Sequence, residues 1–303
     1  LPLRDTFIIY SEKETIGMQL VGGDNTWRFY TISRQSGLLA KRAVTTLRGI
    51  QVAVTDGDVV QTNGQTVETI IDRKMRRWMF SQIDQDRFGL TFVSVNSKFN
   101  EVWVCFPGQG SDYCNLALVW NWRTGVWGVR DLPEGCLDAA NGLDIVGLQT
   151  LTWGTNPFSW DNWFQVWDER GYDSTQDVLL LGGQSTGDGA PIFRTEVGAL
   201  YDGSPKVSRV EKLGLRVGGE FRVTVHEVWP RALGQPFQIQ VGSQEAPNGP
   251  VSWKTTQTFD PEQDRKITCR VSGRYPCVAF QSFDDVEWAL AGFQLKYSRD
   301  GNR

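Results

Sequence analysis

The sequence predicts an all-β protein, and three observations carry that expectation. Short apolar runs, several with period-2 alternation, recur along the 303 residues, as strands that bury one face require. Turn dipeptides separate them, including Gly22-Gly23, Ser36-Gly37, Asp56-Gly57 and Asn63-Gly64. Asp-Gly and Asn-Gly suit tight hairpins because both central positions of a type I′ turn need positive φ. Thirteen tryptophans and a 12% aromatic content supply the bulk for a large core, spread over two structural units.

Taken in order, strands are expected at 7–11, 16–21, 27–32, 44–47, 50–55, 58–62 and 66–70, each an antiparallel neighbour of the next. The texture then changes. Asp72 can cap a short helix near 72–83, in which Met75, Trp78, Met79 and Ile83 fall at helical spacing. Arg73, Lys74, Arg76 and Arg77 occupy much of its remaining surface. This cationic face is a candidate contact for a DNA channel or a neighbouring subunit, with a solvated face as the plainer reading. Strands at 90–96, 101–106, 115–122 and 126–132 form a four-stranded meander. The stretch from Val44 supplies a comparable set, and a third is expected between Leu151 and Val197, around 163–167, 178–181 and 192–197. Meanders repeated radially build a β-propeller, so residues 1–205 are read as propeller-like blades. The abrupt start at Leu1, without Met, suggests a fragment or processed product with an incomplete set of blades. Residues 206–303 carry longer alternating strands between proline and glycine turns, the texture of a β-sandwich-like or propeller-closing region.

Charge excludes one class of function. The formal net charge is −4 and acidic and basic residues are mixed, without the footprint of a sequence-reading DNA binder. No apolar run approaches the roughly 18 to 20 residues of a membrane span, so no membrane insertion is expected, and the N-terminus lacks signal-peptide order. The chain reads as soluble and made in a cytoplasm. The five cysteines form no C-x-x-C pair and read as buried thiols. Cys105 and Cys114 flank a loop and could face each other across a hairpin, although a cytosolic origin argues against a bridge.

Catalytic chemistry is hard to assemble. His226 is the single histidine, inside an alternating run, so neither a triad nor a histidine-based metal site can be built around it. The glycine-rich run 182–189 lacks the Gly-Lys-Ser/Thr of a phosphate loop and reads as a hairpin loop. The carboxylate pairs Asp84 with Asp86 and Asp284 with Asp285 would suit a glycosidase. The competing reading is therefore a carbohydrate-binding or carbohydrate-cleaving propeller whose aromatic wall is Trp153, Trp160, Trp163 and Trp167. These four also serve as candidate interface aromatics. No Ser-x-Asp-x-Gly-x-x-Trp repeat of sialidase propellers occurs, and the expectation is a protein without cofactor, metal or enzymatic activity.

One family likeness emerges from particular stretches. The run Phe7-Ile-Ile-Tyr-Ser-Glu-Lys-Glu-Thr-Ile-Gly-Met-Gln-Leu-Val-Gly-Gly23, followed by Arg28-Phe-Tyr30 and Ser36-Gly-Leu-Leu39, resembles a segment of podovirus tail nozzle proteins, the group of tail tubular protein B and the packaged-DNA stabilisation proteins. Asn100-Glu-Val-Trp-Val-Cys-Phe-Pro107, Asn115-Leu-Ala-Leu-Val-Trp-Asn121, Trp127-Gly-Val-Arg-Asp-Leu-Pro133, Ser272-Gly-Arg-Tyr275 and Trp288-Ala-Leu-Ala-Gly-Phe293 are similar to the same group. The resemblance implies a structural virion protein, assembled in the host cytoplasm as a ring of six copies around a central channel in the phage tail. Such a ring retains packaged double-stranded DNA, conducts it during ejection without sequence specificity, and meets a tail adaptor protein and tail fibres or spikes. A mixed-charge wall suits sliding DNA, because each neutralised phosphate adds affinity through counterion release. Family members are usually longer than this chain.

Overall fold

The computed structural model describes residues 1–22, 26–143, 177–184, 189–195, 200–201, 204–205, 207–217, 221–247, 249–283 and 286–300. It divides into two compact units, Leu1–Thr195 and Glu196–Arg303, where the sequence suggested a boundary after residue 205. The fold is all-β, with a single α-helix among the described residues. No helix there is long and apolar enough to cross a membrane.

The first unit begins with a four-stranded meander of β1 (Pro2–Leu3), β2 (Thr6–Tyr10), β3 (Thr15–Leu20) and β4 (Trp27–Ser33). A second follows, of β5 (Val44–Leu47), β6 (Ile50–Thr55), β7 (Asp58–Thr62) and β8 (Val67–Thr69). Every pairing is antiparallel between sequence neighbours. The second is the meander expected from Val44 onward, and the first is a further one to which Pro2–Leu3 adds an unexpected strand; the Asp-Gly and Asn-Gly turns of the second differ from the expected type I′. Gly57 and Gly64 have φ of 95° and 90°, whereas Asp56 and Asn63 are not among the residues with positive φ. Asn63 instead accepts the amides of Gln65 and Thr66 through its side chain at 2.9 Å each, closing a wider loop. Both central residues take positive φ in the β5–β6 hairpin, with Arg48 at 46° and Gly49 at 82°. The Arg48 guanidinium lies over the Trp122 ring, 5.6 Å from its centroid, a cation–π contact that helps offset the left-handed backbone.

The helix α1 (Arg73–Gln82) follows. Asp72 Oδ1 accepts the backbone amides of Lys74 at 2.8 Å and Met75 at 3.0 Å. The helix buries Met79 fully and half-buries Met75 and Trp78, whose ring meets Phe106 edge-on at 6.2 Å. Its first turn carries Arg73 and Lys74 and no acid, so cations sit where the helix dipole disfavours them. Asp72→Ala therefore removes both a cap and the compensating negative charge. A loss of about 1–2 kcal/mol is expected, read as a lower urea midpoint with faster amide exchange at residues 74 and 75.

The third sheet holds β9 (Phe92–Asn96), β10 (Glu101–Phe106), β11 (Cys114–Asn121), β12 (Val126–Leu143), β13 (Asp177–Gly183) and β14 (Ile192–Arg194), in the order β14-β13-β12-β11-β10-β9. It corrects the expectation in two ways. The fourth strand runs on past Pro133 to Leu143, the segment at 178–181 pairs onto it and residues 192–194 pair onto that segment in turn, so both extend this sheet instead of starting a third meander. The remainder of that expected third meander, 163–167 included, lies outside the described residues. A prolonged break in the β11–β12 ladder between Leu116↔Asp131 and Cys114↔Cys136 accommodates Pro133, which has no amide to donate. The sheet also curls until β9 touches β12 and β13.

That curl gives the sheet two buried faces. Val93, Val95, Val102, Val104, Phe106 and Leu118 pack outward against Val52, Val54 and Val59 of the second sheet and Met79 of α1. Phe92, Trp103, Ala117, Val119, Leu179 and Leu181 line the inside with Cys105, Cys114 and Cys136. At the other flank, the first sheet packs on the second through Leu3 and Ile8, 3% and 1% exposed, which approach Gly64. Gln51, fully buried, accepts the Tyr10 hydroxyl at 2.8 Å and donates to the carbonyls of Leu1 and Pro2 at 3.3 and 3.2 Å.

In the second unit, β15 (Leu200–Tyr201) and β16 (Ser204–Pro205) form a small ribbon. The remaining strands are β17 (Arg209–Lys212), β18 (Val223–Gly234), β19 (Phe237–Gln244), β20 (Ser252–Trp253), β21 (Gln257–Phe259), β22 (Ile267–Gly273), β23 (Tyr275–Gln281) and β24 (Trp288–Arg299). They make one sheet in the order β17-β23-β19-β20, with β21 also on β19, and another in the order β22-β18-β24. The two share one core of Val225, Val228, Phe237, Ile239, Val271, Val278 and Phe280. This is the expected sandwich-like arrangement.

Candidate functional site

The first sheet presents an unusual surface. Residues opposite one another in an antiparallel ladder project to the same side, and neighbours along a strand alternate. The register Phe7↔Met18↔Phe29, Ile9↔Ile16 and Leu20↔Trp27 thus gathers these seven apolar side chains on one face. Five are exposed, with Phe29 at 61%, Leu20 at 60% and Phe7 at 46%. The opposite face, turned to the second sheet, carries Ile8, Thr15, Gly17 and Tyr30. Tyr30 lies over Gly17, where a Cβ would meet its ring at 2.3 Å, and donates its hydroxyl to the Gly64 carbonyl at 2.9 Å. In β3 the polar or small Thr15 and Gly17 are buried on the inner side, while the apolar Ile16, Met18 and Leu20 point outward. The outer face therefore has the composition of a core face, and contiguous apolar surface of this kind marks an interaction site.

The basic residues of α1 separate into two groups. Arg76 Nε donates to the Gly57 carbonyl at 2.6 Å and its guanidinium lies 3.6 Å from Asp58, so this cation ties the helix to the β6–β7 turn. Arg73, Lys74 and Arg77 are exposed and border a shallow concavity with Trp78, Phe80 and Ser81. Their arrangement suits a polyanion or an acidic partner surface. The four tryptophans proposed as an aromatic wall, Trp153, Trp160, Trp163 and Trp167, lie outside the described residues, as do Asp284 and Asp285.

Other singled-out residues have structural partners. Asp84 accepts the amides of Gly110, Asp86 and Arg87, and these hydrogen bonds, that of Gly110 foremost, hold its carboxyl below the usual range. It anchors a loop and stays ionised, unlike a general acid with a raised pKa. His226 Nε2 meets Ser298 Oγ of the neighbouring strand at 2.8 Å, at a bulge in β18. Gly182 and Gly183, expected in a hairpin loop over 182–189, are residues of β13, which pairs with β14, and residues 185–188 lie outside the described residues. Among the described residues, no group of three His, Cys, Asp or Glu side chains is placed to hold a metal ion. The five cysteines are free thiols, four of them buried, in line with the main expectation, and the alternative of Cys105 facing Cys114 across the hairpin is not met. Their hairpin pairs Phe106 with Leu116 and Cys105 with Ala117, and Cys114 lies opposite Cys136 instead.

No protein-family model and no curated protein matches the sequence. Among solved structures, the chain is compared with the exo-β-1,3-galactanase of Phanerochaete chrysosporium in complex with galactose, at 10% identity over 97% of this chain and 68% of that one. The TM-score is 0.16, and a likeness at that level bears on neither fold nor function.

Proposed function

We propose that this chain is a structural subunit of the tail nozzle of a short-tailed bacteriophage. In this reading, copies assemble into a ring, six in the family that the sequence resembles, around a channel that retains packaged DNA and conducts it at ejection. The outer face of the first sheet carries the proposal. The stretch where the resemblance begins supplies most of β2, β3 and β4, and the free face of their sheet is patterned as a core face, as expected of a protein whose work is assembly.

The remaining parts of the reading follow from the same logic. Stacked meanders leave an apolar face free at the end of the stack, and that face fits another apolar sheet about 10 Å away. Neighbouring copies, the adaptor, and the fibres or spikes are the partners in the virion. Arg73, Lys74 and Arg77 are the candidate contacts for passing DNA, three cations in a chain whose net charge is −4. Few phosphate contacts keep affinity low and sliding free. No chemical step is assigned to the protein.

Light scattering after size-exclusion chromatography, combined with negative-stain imaging, tests this reading. The expected result is a concentration-dependent ring with a central hole. A Leu20→Glu/Phe29→Glu variant is expected to keep the circular dichroism of the parent while its assembly weakens by roughly 100-fold or more, since two charges would be desolvated in the contact. A chain that stays monomeric at high concentration and does not join adaptor rings overturns the proposal.

A further inference from the structure

Three thiols share the inside of the curled sheet, where Cys105 and Cys136 are fully buried and Cys114 is 1% exposed. Two of them stand directly opposite each other, for Cys114 of β11 is the Cα partner of Cys136 of β12. Opposed residues of an antiparallel pair have Cα atoms about 4.5–5.5 Å apart, within the roughly 4.4–6.8 Å span that a disulfide bridges. Both side chains enter the same cluster, so their Cβ vectors converge. The ladder shifts register immediately after each of them, between Cys114 and Leu116 and between Cys136 and Asp138. Local slack is therefore available for the near-perpendicular torsion that a disulfide requires. Cys105 shares the cluster but is paired with Ala117 and Phe92, so it is opposite neither of the other two.

We propose that Cys114 and Cys136 are a disulfide-forming pair, closed by a small-molecule disulfide such as oxidised glutathione when the protein enters an oxidising medium. One cysteine attacks the glutathione disulfide and releases one glutathione. The second attacks the mixed disulfide and releases the other. The two thiol protons leave with the two glutathione thiols, and the two electrons that the cysteine sulfurs give up on forming the S–S bond reduce the reagent. In the reduced protein, the Cys114 thiol donates to the Leu90 carbonyl at 3.3 Å and the Cys136 thiol to the Asp138 carbonyl at 4.0 Å. Closing the bridge gives up only these weak contacts. Burial pushes Cys114 up to about 12 and Cys136 to about 11, so few thiolates form at neutral pH and the open pair persists in a reducing cytoplasm. Cys114 begins its strand, two residues after the exposed Asp112. Fraying at that end is the route by which the reagent enters.

The bridge depends on one pair of strands and is independent of any assembly role. Protein equilibrated in glutathione buffers of stepped ratio, alkylated after denaturation and mapped by mass spectrometry, supplies the test. Two of the five thiols are expected to disappear together, in a cross-linked peptide joining Cys114 to Cys136. Cys105→Ser is expected to retain that cross-link and Cys136→Ala to lose it. The bridged form should melt roughly 5–10 °C higher, because the bridge constrains the unfolded chain. Five alkylatable thiols at every ratio, a bridge through Cys105, or bridges only between molecules would each overturn the proposal. The map of the unsubstituted protein decides the matter even where a variant folds poorly.

Discussion

Phe237→Ala is expected to cost the second unit about 3–5 kcal/mol. Phe237 is fully buried. Its ring stacks on Trp288 at 4.8 Å and tilts against Phe259 at 5.4 Å and Phe280 at 6.3 Å. These partners come from β21 and β23 of one sheet and β24 of the other, so a single ring holds the two layers together. Truncation leaves a cavity that three aromatic neighbours cannot collapse to fill. With typical domain stabilities of about 5–15 kcal/mol, this loss is a large share of the total. Urea unfolding followed by tryptophan fluorescence reads it directly, with the midpoint falling at unchanged slope. A loss below about 1 kcal/mol would mean that the ring does not pack between the sheets.

In the sandwich, sequence reasoning worked where a strand alternates cleanly, as β19 does, and it missed the short β20 and β21. Ile239 and Val241 point inward between outward Gln238 and Gln240, as the period of two demands. The helix was legible for an equally local reason, since Asp72 and the spacing of Met75, Trp78 and Met79 define its start and its buried face. Local signals said less about pairing. Nothing near 178–181 reveals that these residues extend the third sheet, because that choice depends on β12 running past Pro133. The two-residue connection at Arg48-Gly49 was legible from the strands on either side, but its positive φ was not, because arginine is not a residue from which positive φ is expected. The opposition of Cys114 and Cys136 depends on the break in register beside Pro133, which spacing alone does not disclose. The exposed apolar face was hidden for a different reason. Its strands were recognised, but in β2 both faces are apolar, and in β3 the apolar period marks the side that the folded chain leaves uncovered.

Gln51→Ala is expected to cost about 2–3 kcal/mol and to loosen the first sheet selectively. The side chain is fully buried, and it is the polar link from β6 to Tyr10 and to the carbonyls of Leu1 and Pro2. Removing it strands the Tyr10 hydroxyl and leaves the two carbonyls without that donor, at about 1–3 kcal/mol for a buried group left unsatisfied. Hydrogen exchange should show protection falling in β2 and β3 while β6 and β7 keep theirs. Tyr10 adds a pH signature. Burial raises its pKa above the ordinary value of 10.0, so the folded state holds the phenolic proton more tightly than the unfolded chain. That contribution is complete below about pH 10 and is lost as the pH climbs above it; Tyr10→Phe should remove this alkaline component. The same contacts separate fold from assembly. Gln51→Ala acts on the inner face, so it should lower stability and, by loosening the sheet, weaken assembly as well. Leu20→Glu/Phe29→Glu acts on the outer face and should weaken assembly at unchanged stability. If both variants lost stability equally, the outer face would belong to the core of the single chain and would not be a contact surface.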